Sequence, residues 1–146
     1  MSKDCCHKRT DAIIKVSDPK SSCIKLSNPK QEAWYVCDVD GCLVVDERKR
    51  CDKLVSDKAT FSVLIELKGG DIEGAFKQID RTFEYAEVKD KLVGRLCAMI
   101  VSRTVRLPNF DGFSRKSKEH FARRHKARFV IERHDRQVCP KKACGI

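Results

Sequence analysis

No apolar stretch of this 146-residue chain is long enough to cross a bilayer. The longest, residues 96–101, falls far short of the ~18 that a spanning helix needs. The first residues, Met1, Ser2, Lys3, Asp4, Cys5, Cys6 and His7, lack the apolar core of a secretory signal, so a cytoplasmic protein is expected. There is no internal repeat, low-complexity tract or linker. Nucleophilic catalysis has no footing either, because no Ser or Cys stands in a recognisable elbow. Gly69 and Gly70 precede a helical pattern but lack the Lys-Ser/Thr of a phosphate-binding loop, which leaves them the role of a turn.

Charge, by contrast, is abundant and unevenly placed. Of 31 Lys+Arg and 21 Asp+Glu, residues 1–94 hold 17 of each, so the whole formal charge of +10 lies in residues 95–146. Much of it gathers in 114–128, where Arg115, Lys116, Lys118, Arg123, Arg124, Lys126 and Arg128 make a basic stretch. Such density attracts polyanions through phosphate contacts and counterion release. Nucleic acid, DNA first, is therefore the expected partner, ahead of a merely solvated helix face. A membrane partner is not expected, since Phe113, Phe121 and Ala122 make no continuous apolar stripe. His120 and His125, five apart, miss the i, i+4 register of a helical metal pair, so phosphate contact or surface positions are expected of them.

The nine cysteines cannot all pair within one chain. In a reducing compartment they read as buried thiols or metal ligands rather than disulfides. Cys37-x4-Cys42 and Cys139-x4-Cys144 share one spacing, but no compact second half follows either pair, so structural zinc is not expected.

Periodicity sets the coarse architecture. Residues 23–26, 33–39 and 61–68 read as strands, and 43–45 and 53–55 as strands joined by the charged connection 46–50. Ile72, Ala75, Phe76, Ile79 and Phe83 fall on one face of an amphipathic helix. Residues 96–101 read as a buried strand, about 114–126 as a basic helix and 128–132 as a last strand. The fold class is α/β: one small domain with a mixed β-sheet flanked by helices. Residues 1–20 are expected to form a loose N-terminal arm, 21–138 the domain, and 139–146 a Cys-containing tail.

Glu66 and Lys68, two apart on a strand, share one face with Ser62 and Leu64. If Asp52 lies on a neighbouring strand, two carboxylates converge, and like charges that close resist joint ionisation unless a cation sits between them. Mg²⁺, with Mn²⁺ as a substitute, answers that need with oxygen ligands, and Lys68 stands beside it to stabilise negative charge.

Asp52, then Glu66-x-Lys68 fourteen residues on at a strand end, then an amphipathic helix, resembles the PD-(D/E)XK nuclease core of type II restriction enzymes and Holliday-junction resolvases. The resemblance covers roughly residues 34–101. It implies a restriction-endonuclease-like core and a Mg²⁺-dependent endonuclease, a hydrolase of DNA phosphodiester bonds. Carried across, Asp52 and Glu66 bind metal, Lys68 is the catalytic lysine, and Gln78 is similar to a glutamine that several branches place near the site. Two features depart from the pattern. Cys51 stands where the motif has proline, and no helix with a further acid precedes Trp34. Glu32, Asp38 or Asp40 would supply that acid, Asp40 by preference. A non-cleaving nucleic-acid-binding relative and a zinc-stapled interaction module are the alternatives. A domain this small would need a homodimer to cut both strands.

Overall fold

The computed structural model describes residues 4–18, 22–68, 71–103 and 110–146, without the side chains of Lys68, Phe110 and Asp111. In chain order the strands and helices are β1 (Cys6–Arg9), β2 (Ile13–Ser17), β3 (Cys23–Ser27), β4 (Trp34–Asp38), β5 (Lys53–Ser56) and β6 (Phe61–Lys68). Then come α1 (Ile72–Thr82), α2 (Ala86–Lys89), β7 (Arg95–Ser102), α3 (Phe110–His125), β8 (Ala127–Arg133), β9 (Gln137–Val138) and α4 (Pro140–Ala143). Six strands form one mixed sheet in the order β1-β4-β5-β6-β7-β8. Pairing is antiparallel from β1 through β6 and parallel from β6 through β8. Parallel neighbours need a crossover; α1 and α2 supply it between β6 and β7, and α3 between β7 and β8.

Both faces of this sheet are covered, which is why β6 and β7 read as near-continuous apolar runs. On one face Leu64, Ala98 and Ile100 pack with Ile72, Ala75 and Ile79 of α1 and Phe121 of α3. On the other, Val63, Ile65, Leu67, Met99 and Val101 meet Ile14, Val16, Ile24 and Leu26. Those last four come from a small second sheet, β2-β3-β9, so the molecule has three layers. α1 starts where Asp71 accepts a hydrogen bond from the Gly74 N–H at 2.9 Å. A Cβ on Gly74 would meet the Asp71 carboxylate at 2.2 Å, so this form of cap needs glycine there. No helix among the described residues is long and apolar enough to cross a membrane.

The mixed α/β sheet is as expected, with three differences. Residues 1–20 are no loose arm where described, since β1 pairs with β4 and β2 with β3. Residues 43–45 do not form a strand. Val44 is buried inside a turn held by Val44 N–H to Val39 O at 2.9 Å, while Val45 is 75% exposed. The hairpin partner of β5 is therefore β4, across a longer loop. Four cysteines are also disulfide-bonded, Cys5 to Cys42 and Cys6 to Cys37. The expectation of thiols or ligands rested on a reducing compartment. The ladder that sets Cys6 opposite Cys37 creates the pairing instead. Cys139 and Cys144 are free, and Cys144 is buried with Cys97 in the core of the opposite sheet face from Cys37. The two C-x4-C pairs thus share no site.

Candidate functional site

Asp52 sits just ahead of β5, and its backbone is fastened on two sides. Its N–H donates to Ile65 O of β6 at 3.1 Å, and its carbonyl accepts from the Val39 N–H at 3.0 Å. α1 fixes the preceding residues. Gln78 Nε2 donates to Arg50 O at 3.2 Å, the Cys51 N–H donates to Thr82 Oγ1 at 2.9 Å, and Thr82 Oγ1 donates to Gln78 O at 2.6 Å. The carboxylate is thereby directed toward the end of β6. Its Oδ2 accepts from the Leu67 N–H at 2.8 Å, and a further hydrogen bond links it with Glu66. Glu66 is 2% exposed. The convergence of Asp52 and Glu66 expected from the strand pattern is present.

The two acids open onto a cleft of about 410 Å³, to which Asp18, Asp40, Arg50 and Gln78 also contribute. Burial pushes the Asp52 carboxyl above its ordinary range, and the charges of Asp18 and Asp40 add to the rise. The hydrogen bonds to Leu67 and Glu66 act the other way without cancelling it. Arg50 offsets part of the negative charge, with Nε 2.8 Å from Asp40 Oδ1. Cys51, where the motif has proline, is fully buried, and burial with the nearby Glu66 and Asp52 charges pushes its thiol up. It stays a neutral packing group.

Among the three acids proposed as a further ligand, only Asp40 lines the cleft. Asp38 pairs with Lys53 across the β4–β5 ladder, and Glu32 with Lys141 at 3.0 Å. Asp18 is a member that the sequence reading missed; it follows β2, in the stretch expected to be a loose arm. Lys68 ends β6 opposite Ser102. Its side chain, like Gly69 and Gly70, lies outside the described residues.

No family model, curated protein or solved structure matches the chain.

The basic residues of the last third divide between two grooves. Lys116, Arg123 and Arg124 line one of about 350 Å³, and Lys118 and Arg128, with Lys142, line another of about 360 Å³. Arg115 and Lys126 are exposed. Arg124 is engaged with Glu84 at 3.2 Å. His120 and His125 differ from expectation: both approach Asp80 of α1, and the His125 side chain is only 5% exposed. Five residues apart on α3, they still converge because the partner is on another helix rather than on their own.

Proposed function

We propose that the chain is a metal-dependent nuclease of the PD-(D/E)XK type that hydrolyses DNA phosphodiester bonds. The observation that carries this reading is the Asp52–Glu66 pair in a cleft at the end of the strand that also bears Lys68. In support, β6 ends at Lys68 and leads directly into the amphipathic helix α1, the order in which the resembling motif sets them. The donor pair of Asp52 and Glu66, with Asp40 on the wall of the same cleft, is all oxygen, which suits Mg²⁺ or Mn²⁺ over softer metals. Upward pressure on the Asp52 carboxyl is what a cation between the acids would relieve. Bound there, the ion supplies Lewis-acid polarisation of a phosphoryl oxygen and a more acidic water. Gln78 holds the Arg50–Asp52 backbone in place, and Lys68 stabilises charge on the phosphate.

The basic grooves favour a second reading, a nucleic-acid-binding protein that does not cut, because their lining residues and those of the carboxylate cleft do not overlap. One experiment separates the two. Labelled duplex, branched and single-stranded DNA are incubated with Mg²⁺, Mn²⁺ or EDTA and with wild type or Lys68→Ala. The nuclease reading expects metal-dependent cutting that falls about 100-fold or more in the variant with DNA binding retained. Salt-sensitive binding without cutting under any metal refutes it and leaves the binding protein.

A further inference from the structure

α1 and α3 lie against each other on the helical face of the sheet through an aromatic cluster of Phe76, Phe83, Phe113 and Phe121. At its margin one carboxylate oxygen, Asp80 Oδ1, lies 2.7 Å from Nε2 of His120 and 2.7 Å from Nε2 of His125. The three potential ligand atoms are all within 4.8 Å of one another. Both imidazoles are held by rings rather than left to turn in water. His125 stacks on Phe83 with centroids 4.6 Å apart, and His120 packs against Phe76 at 5.2 Å. On the far side of His125, Glu84 Oε1 lies 3.7 Å from Nδ1, where a carboxylate can orient a ligating imidazole.

Two imidazoles and one carboxylate are a borderline-soft donor set, which suits zinc and its neighbours and not Mg²⁺. Around such an ion, with bonds of 2.0–2.2 Å, tetrahedral ligand atoms stand about 3.4 Å apart. Reaching that spacing from 2.7 Å requires an opening of about 0.7 Å at each imidazole, which the partly exposed Asp80 carboxylate and His120 ring can supply by moving while His125 stays buried. This donor set shares no residue with the carboxylate cleft. Gln78 on α1 lines the cleft, and Asp80, two residues on, faces α3 instead.

We propose that Asp80, His120 and His125 form a three-ligand site for a divalent transition metal of the zinc class, which fastens α3 to α1. Three protein ligands leave a fourth position for water or an anion. His120 also lines the groove formed with Lys116, Arg123 and Arg124, so an anion drawn to those cations would arrive beside the metal.

The test uses the full chain, stripped with chelator and titrated with Co²⁺, whose visible absorption reports coordination. The expected result is tetrahedral d–d bands that saturate at one equivalent, without intense thiolate-to-cobalt charge transfer, and vanish on displacement by Zn²⁺. The double variant Asp52→Asn/Glu66→Gln should keep the tetrahedral Co²⁺ bands of wild type, which separates this site from the nuclease reading. His120→Ala and Asp80→Asn should each lose affinity about 100-fold or more, and Glu84→Gln about tenfold. His120→Ala is decisive if Asp80→Asn does not fold, because His120 is the most exposed of the three ligands. Unchanged tetrahedral bands in His120→Ala, bands of thiolate ligation alone, or no tetrahedral bands in wild type overturns the proposal.

Discussion

Replacing Asp52 by asparagine removes charge from a place where it is costly, and keeps the local hydrogen bonding. The amide oxygen can still accept from the Leu67 N–H, now 2.8 Å from Oδ2, and the NH₂ group can donate to Glu66. Because burial and the charges of Asp18 and Asp40 raise the Asp52 carboxyl in the folded chain, folded protein holds that proton to higher pH than unfolded chain does. Stability is therefore lost as pH rises from the unfolded value through the folded one, and the full penalty stands above it. Asparagine escapes the penalty. The carboxylate is only part-buried, so a discounted gain of about 1 kcal/mol is expected near neutral pH. For a chain of this size that is about 3 °C in Tm. The assay is thermal unfolding in EDTA, wild type against Asp52→Asn, near pH 8 and near pH 4. The advantage should appear at the higher pH and shrink toward the lower, as wild type takes up the proton. A variant that melts below wild type near pH 8, or whose advantage does not depend on pH, refutes the reasoning. If Asp52 holds the metal as proposed, saturating Mg²⁺ should then favour wild type, by about 2.7 kcal/mol at a hundredfold excess over Kd.

If the α3 groove contacts phosphates, Lys116→Ala with Arg123→Ala should lower the slope of log binding constant against log salt by about 1.8, since each contact contributes about 0.9; an unchanged slope in a binding titration counts against that groove. The Cys5–Cys42 and Cys6–Cys37 links span 37 and 31 residues. Reducing both should cost about 4 kcal/mol, nearly all from closing the first loop, read as a lower urea midpoint. An unchanged midpoint would show that the edge strand β1 holds without them.

Much of the architecture follows from local periodicity, which a sequence carries on its face. Residues 61–68 alternate so that Leu64 and Glu66 point one way and Val63, Ile65 and Leu67 the other, and the two cores receive them as that pattern requires. The 3.6 spacing of Ile72, Ala75 and Ile79 likewise specifies the buried face of α1. β2 carried the same kind of signal, with Ile14 and Val16 buried and their neighbours exposed, although its polar surroundings read as an arm. β1 carried almost none: Cys6, His7, Lys8 and Arg9 have no apolar alternation, and the strand is held by ladder pairing and disulfides to distant residues.

Taken alone, then, the sequence determined the mixed α/β character, the face of β6 that Glu66 occupies, and the concentration of positive charge in the last third. Those depend on residues near one another in the chain or on simple counts. Tertiary structure alone decided that Asp18 reaches the cleft, that Cys5 and Cys6 close on Cys42 and Cys37, and that Asp80 draws both His120 and His125. Each of these joins residues more than twenty positions apart, and no spacing rule reaches that far. Only the folding of strands and helices into layers brings such side chains within bonding distance.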